Sequence, residues 1–500
     1  MSIVAPVAVV VAMTGVLGRS KSVIAITGRI VNDILSFVVF SLLDVLDFVL
    51  CYAFKVLDFA IEAEWRSCYC WYAKEGSTNK GTILVSEQGE SKILRLTSSS
   101  KLQLEEVSDT LFNRPSYLAE ISKSTVNELK MRRKAENKVH HQQSCDHHHH
   151  HQIKEGRSTF TISSTIAEIL QGRVGGGRQQ PHCPAPRWSD CDCKTCHSWA
   201  SSCKDTLYVK VDGAKGNNVQ EDVLFIHGFI SSSAFWTETL FPNFSKEAKS
   251  KYRLFAVDLL GFGRSPKPND SLFTLREHLE MIEKSVLVPN KVKSFHIVAH
   301  SLGCILALAL AVKHPGLIKS LTLIAPPYFP APEGEQATQY MMRKVAPRRV
   351  WPPIAFGASL ACWYEHVNRT LCLVISKNHR LWEFLTKVIT RNRIRTYLVE
   401  GFCCHTHNAA WHTLHNVLCG TASKIESYLE AVRNKVKCEV TIFHGRDDVL
   451  IPLECSYNVQ SKVPRAHVKV VDDKDHITIV VGRQQAFARE LEQIWTNSSR

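Results

Sequence analysis

The amino-acid sequence predicts an α/β fold: a mostly parallel central sheet with helices on both faces and a helical lid inserted late in the sheet. Three observations predict it. From Asp205 onward, short runs rich in Val, Ile and Phe alternate with longer stretches of helical period. Those runs, "TLYVKV", "VLFIHG", "RLFAVDL", "FHIVAHS", "SLTLIAP", "EVTIFHG" and "HVKVVDD", are almost continuously apolar, as strands covered on both faces are. Between Ala325 and Cys438 lie about 110 residues, far more than one crossover needs.

Ahead of this rhythm stand two other regions. Residues 1–60 are hydrophobic. The run Ile3 to Leu17 is short for a bilayer span and is followed, not preceded, by basic residues, so it matches a signal peptide only loosely. The run Ile34 to Phe54 has spanning length but carries Asp44 and Asp47, each costing about 2.5 to 3.5 kcal/mol near the centre of a membrane helix. Three arrangements fit: a targeting or spanning segment, an amphipathic interfacial helix with the carboxylates on one side, or helices packed on the main domain. Cys51 has a small lipid-attachment resemblance, spoiled by Leu50 where a small residue is expected.

Residues 61–204 read as a low-complexity, largely disordered linker containing Cys and His, with one short helix at "TISSTIAEILQG". The tract His147 to His151 is more simply a linker feature than a metal site. "HCPAPRWSDCDCKTCHSWASSCK" offers Cys193-x-x-Cys196 with Cys183, Cys191, His197 and Cys203 nearby. These are enough soft ligands for zinc, yet not two separated pairs; a disulfide-stapled loop fits equally, and no structural role is the third option. No metal ligand is assigned and no cofactor is expected. The chain carries 61 Lys and Arg against 47 Asp and Glu, a formal charge of +14. With no basic stripe interleaved with aromatics and no zinc-finger or helix-turn-helix spacing, nucleic acid is not an expected partner; a membrane or wall surface is.

The domain from 205 to 500 places its chemistry at strand ends. "FHIVAH" runs into the apolar helix "LGCILALALAVKHP", so Ser301 occupies the turn between strand and helix, where a hydroxyl projects over a helix N-terminus. The pattern G-x-S-x-G is met by Gly303, with Ala299 in place of the first glycine. A serine needs a base oriented by a carboxylate. After "CEVTIFHG" comes Asp448, three residues past Gly445 and four before Pro452, with Asp447 as the fallback; after "AHVKVVDD" comes His476. Asp475 beside it reads as a loop-shaping residue. Two backbone N–H groups are needed for the oxyanion, and Leu302 and Phe229 are placed to give them, with His227 and Gly228 turning the chain before Phe229.

The segments "HGF...SSSAFW", "DLLGFGRSPKP", "AHSLG", "HGRDDVLIP" and "DH" resemble, in order and spacing, the α/β-hydrolase superfamily over about residues 205 to 498. With the hydrophobic N-terminal extension, "AHSLGC" and "GFGRSPKP" resemble the plant BODYGUARD group. That resemblance implies a lysophospholipase-like lipid esterase, extracellular or wall-associated, acting in cutin or cuticle formation. It implies a location in the cell wall or on the outer face of the cell membrane.

The lid, about 327–436, carries apolar aromatic stretches such as "VWPPIAFGASLACWYEHV", suited to an acyl pocket that excludes water. Its histidines His405, His407, His412 and His415 do not share one helical face and read as lid residues. The expected activity is carboxylic-ester hydrolysis of a lipid-like substrate, with Ser301 as nucleophile, His476 as base and Asp448 as its orienting acid. Two alternatives use the same chain: an acyltransferase or polyester synthase sharing the acyl-enzyme, and a non-catalytic receptor or scaffold.

Overall fold

A computed structural model describes residues 5–63 (side chains from 27), parts of 77–117, 187–201, and 205–498 apart from 217–218 and 392–393. A long helix α1 (Ala5–Glu62) is followed by a small antiparallel sheet of β1 (Ser77–Thr78), β2 (Gly81–Val85), β3 (Ser91–Leu96) and β4 (Leu102–Val107). Helix α2 (Lys194–Ser201) leads to the main sheet. The linker reading gave no place to these strands. The "TISSTIAEILQG" helix, the histidine tract, Cys183 and Cys203 lie outside the described residues.

The main sheet is formed by β5 (Val209–Gly213), β6 (Glu221–Ile226), β7 (Tyr252–Val257), β8 (Phe295–His300), β9 (Ile318–Ile324), β10 (Glu439–Gly445) and β11 (His467–Val471). Its order is β5-β7-β6-β8-β9-β10-β11, parallel except for the edge strand β5 against β7. The apolar runs are explained by burial on both faces. Along β6, Leu224 and Ile226 pack into the core on one side, and Val223 and Phe225 join the layer on the other with Phe487, Leu491 and Trp495. The helix after β8, α3 (Leu302–Lys313), is buried from Leu302 through Ala311 and ends before Pro315.

The chain leaves β6 toward β7 on one side and returns to β8 on the other. The crevice at such a reversal, beyond the carboxyl ends of the strands, is where parallel sheets bind ligands. Between β9 and β10 the insertion is helical: Ala337–Val345, Pro353–Trp363, Glu365–Val374, α4 (His379–Ile389), α5 (Thr396–Cys403) and His407–Thr413 continuing to Cys419, then Ile425–Lys435. It sits down on the sheet end through Gly263, whose N–H donates to Cys404 O at 2.8 Å, and a bridge between Phe262 and His405.

Helix α1 is tied to this lid by the polar groups that would be costly in a bilayer. Asp44 accepts from Tyr364 Oη at 3.0 Å and from the Tyr117 N–H at 2.8 Å. Asp47 accepts from the N–H groups of His366 and Val367 at 2.8 and 3.0 Å, where the helix Glu365–Val374 begins. Buried Asp58 forms a two-pronged ion pair with Arg369 at 2.7 and 2.5 Å and accepts from Trp188 Nε1 at 2.8 Å. The opposite side of α1 leaves Ile34, Leu42, Val45, Phe48 and Val56 exposed. Thr27–Glu62 is long and apolar enough to cross a membrane, yet its Asp44, Asp47 and Asp58 are engaged by protein.

Candidate active site

Ser301 follows the last residue of β8 with φ 53° and ψ −123°, a left-handed backbone that is unfavourable for a residue with a Cβ. The turn is held because the Ser301 N–H donates to Ile324 O at 2.8 Å on β9. Two glycines make the approach possible. A Cβ on Gly303 would lie 2.6 Å from His227 O and 2.8 Å from Ile226 O, so α3 can start against the end of β6 only without one. A Cβ on Gly228 would lie 3.1 Å from the Ser301 Cβ and 2.9 Å from His300 Nδ1, which puts Gly228 directly beside the serine. Ala299 is fully buried in β8, its Cα in register with Ile226 and Leu323.

His227 fixes the turn that presents Phe229. Its Nε2 accepts from the Leu259 N–H at 3.0 Å, which leaves Nδ1–H to donate to Gly228 O at 2.7 Å. Burial keeps this imidazole below the ordinary histidine range, so it serves as a neutral bracket between β6 and the loop after β7. Leu302, as first residue of α3, has an N–H with no intrahelical acceptor.

On the far strands, His476 Nδ1 lies 2.6 Å from Asp448 Oδ2. Asp448 Oδ1 accepts the N–H groups of Leu450 and Ile451, both at 2.9 Å. Burial alone would raise the Asp448 pKa; the neighbouring His444, 3.5 Å away, the hydrogen bond with His476 and the backbone N–H of Ile451 overcome it and hold the carboxyl well below its usual range. An ionised Asp448 makes Nδ1 of His476 the protonated nitrogen and leaves Nε2 to accept. Asp447 is exposed, whereas Asp448 is buried. Asp475 is exposed and accepts from the N–H groups of Ile477 and Thr478, shaping the loop.

Over 499 residues the chain is 56% identical to the probable lysophospholipase BODYGUARD 3 of Arabidopsis thaliana, covering 96% of this chain and 99% of that one. It is 55% identical to the probable lysophospholipase BODYGUARD 1 of the same plant over 489 residues, covering 94% and 97%. The chain belongs to the BODYGUARD family. A family model described as the alpha/beta hydrolase fold matches residues 223–353 of it. MenH from S. aureus, a solved structure, is similar at a TM-score of 0.44 and 15% identity, covering 59% of this chain and 99% of that one.

At the candidate site of this BODYGUARD-family chain, His300 and His444 escaped the sequence reading, and Gly445 entered it only as a marker for Asp448. His300 donates from Nε2 to His476 O at 2.9 Å, its ring 4.6 Å from that of His476 and stacked on Phe235. Burial drives its pKa down to about 3, so it stays neutral and can make this bond. His444 lies beneath Asp448, its Nε2 donating to Ile451 O at 2.8 Å and its Nδ1 accepting from Ser456 Oγ at 2.6 Å. A Cβ on Gly445 would meet Lys474 O at 2.3 Å, so only glycine lets the loop bearing Asp448 and the loop bearing His476 touch. The signal was present: "FIHG", "VAHS" and "IFHG" each end a strand in His followed by a small residue.

A cavity of about 130 Å³ lies at the loops after β6 and β7 and against α5, lined by Trp199, Tyr208, Asp258, Arg264 and Glu400 among others, and not by Ser301. Asp258 shapes its wall by accepting from the N–H groups of Ser233 and Arg264 at 2.6 and 2.7 Å. His407, His412 and His415 are buried lid side chains and His405 is half-buried, with His415 Nδ1 2.8 Å from Thr110 Oγ1. Among the described residues, Cys191, Cys193, Cys196 and His379 bring their ligand atoms together as a candidate metal site.

Proposed function

We propose that this BODYGUARD-family chain is a serine hydrolase of lipid-like carboxylic esters, of the lysophospholipase type, working at a membrane or cell-wall surface and contributing to cutin or cuticle formation. In this reading Ser301 Oγ attacks the ester carbonyl while its proton passes to His476 Nε2. Asp448 holds the imidazole in the required tautomer and balances the imidazolium that forms. The N–H groups of Phe229 and Leu302 donate to the developing oxyanion, and His476 returns the proton to the leaving alkoxide. Water, deprotonated by His476, then releases the acyl group and restores Ser301.

The observation that carries the reading is the 2.6 Å Asp448–His476 pair beyond the carboxyl ends of β10 and β11, standing with the strained Ser301 turn at the carboxyl end of β8 in the same parallel sheet. The lipid substrate is supported by the relatives' names and by the lid. The surface location is supported by the exposed side of α1 together with Trp351 and Ile354 on the lid.

A fluorophosphonate probe tests the nucleophile. The wild-type chain is expected to label, and Ser301→Ala to lose labelling together with about 10⁴-fold or more of its ester turnover. Equal labelling of the two would defeat the proposal. A panel of lysophospholipids and acyl glycerols, read for free acid against newly formed ester, then separates hydrolysis from acyl transfer.

A further inference from the structure

We infer that Cys191, Cys193, Cys196 and His379 bind one zinc ion, and that this ion fastens the segment before the hydrolase domain to the lid. The four ligand atoms all lie within 4.8 Å of one another. His379 Nε2 is 3.2 Å from Cys193 Sγ and 3.4 Å from Cys196 Sγ. A tetrahedral zinc with bonds of about 2.3 Å to sulfur and about 2.0 Å to nitrogen sets its sulfur and nitrogen ligands about 3.5 Å apart, which is the spacing found. The Cys196 N–H points at Cys193 Sγ from 3.5 Å, the kind of backbone contact that supports a metal-bound thiolate.

Three thiols converge on one imidazole here, and a disulfide would use two of them and leave the third and His379 without a purpose. Soft sulfur with one imidazole selects zinc over magnesium or calcium, and four protein ligands leave no open position, so the site is structural. On binding, each of the three thiols gives its proton to solvent and the neutral imidazole contributes Nε2.

The placement says what the ion would do. The three cysteines stand at the start of α2, and His379 is the first residue of lid helix α4. The same two segments are also joined by Arg380 donating to Thr195 Oγ1 and Lys377 donating to Trp188 O. Helix α4 presents Leu381, Phe384, Val388 and Ile389 to the outside, and the ion would fix the angle at which it does so. The fourth ligand lies far along the chain from the cysteines, which is why their spacing alone does not give a complete set.

The test uses the full-length chain, purified without metal-affinity steps. Elemental analysis is expected to find about one zinc per chain, and X-ray absorption a shell of three sulfurs near 2.3 Å and one nitrogen near 2.0 Å. His379→Ala combined with Cys193→Ser should lower the zinc content at least tenfold, and His379→Cys alone should keep it with a four-sulfur shell. Replacing His147 to His151 by alanine should leave the content unchanged. Zinc that departs with that tract and not with the four residues overturns the inference. So does a wild-type chain free of zinc whose Cys191, Cys193 or Cys196 is recovered in a disulfide.

Discussion

At the carboxyl end of the sheet, the groups that shape the site lie within a few residues of a strand end and are fixed largely by backbone: Ser301 by Ile324 O, Asp448 by the N–H groups of Leu450 and Ile451. In the lid the fixing contacts join distant parts of the chain. Asp58 and Arg369 are 311 positions apart, and Ser108 donates its N–H to Asn416 Oδ1 across 308. The first region is rigid because strands cannot shift without breaking ladders. The second is held by a few buried polar contacts and depends on segments outside the hydrolase domain. Chemistry and substrate access therefore rest on separable supports, which predicts that they can be broken separately.

The largest effect is expected at the point where the sheet end tolerates no added atom. Gly445→Ala would put a Cβ 2.3 Å from Lys474 O and 2.9 Å from Asp475 O, both backbone atoms that cannot swing aside. The loops carrying Asp448 and His476 would part, and a displacement of about 1 Å in such a pair is worth about 100-fold in rate. Ester kcat/KM should fall by at least that factor while lid protection against proteolysis stays at the wild-type level. An undiminished rate would mean that the Asp448–His476 contact does not limit turnover.

The converse is Arg369→Ala. It strands the Asp58 carboxylate in a buried site, with side-chain exposure of 7% for both partners, and removing one member of a buried pair costs about 3–5 kcal/mol. Hydrogen exchange should rise in the helix Glu365–Val374 and in α1, with little change in β6, β8 and β9. Turnover of a small soluble ester should persist while that of a micellar lipid falls. The double change Asp58→Leu with Arg369→Met, which removes both charges, should restore most of the protection; a lid left as mobile as in Arg369→Ala would locate the support elsewhere.

These two variants also mark what could be read from sequence. The strands, the Ser301 turn and the Asp448 and His476 positions were legible because each signal is local: an apolar run, then a special residue at its end. His300 and His444 were hidden by the same habit, since a histidine ending an apolar strand reads as core until its partner, His476 O or Ile451 O, is seen. Nothing local to Asp44, Asp47 or Asp58 announces that their partners are the lid's Tyr364, His366 and Arg369. The carboxylates that argued against a membrane span are attachment points, and that distinction exists only in three dimensions.

Acid should loosen the lid before the sheet. Burial holds His405 and His407 down to about 4, against about 6.5 in the unfolded chain. Between those values the unfolded state binds protons that the folded state refuses, so stability contributed by the neutral forms is complete above about pH 6.5 and is lost as pH falls toward 4. His300 acts in the same direction at the sheet end, whereas Asp448, held below its usual range, gives up its contribution only at still lower pH. Because the lid carries His366 as well, also lowered to about 4 by burial, its exchange protection should decline first between pH 7 and 5. Constant lid protection across that interval would show that these imidazoles reach solvent.

The smallest effect is expected at Ala299, where the turn departs from the glycine found in the usual pattern. The Ala299 methyl is fully buried and the residue's carbonyl accepts from Cys304 Sγ at 3.3 Å, so the alanine is packed and not strained. Unlike Gly303 and Gly445, which face backbone atoms that an added Cβ could not clear, position 299 already has room for its methyl. Ala299→Gly removes that methyl and frees the chain in the unfolded state, a cost of about 1 kcal/mol in stability. Turnover should stay within about twofold, because Ser301 keeps its bond to Ile324 O and Gly228 keeps its place beside the serine. A large loss of activity with intact stability would mean that the alanine methyl sets the backbone angle of the turn, and that the sheet end, like the lid, relies on a side chain for its geometry.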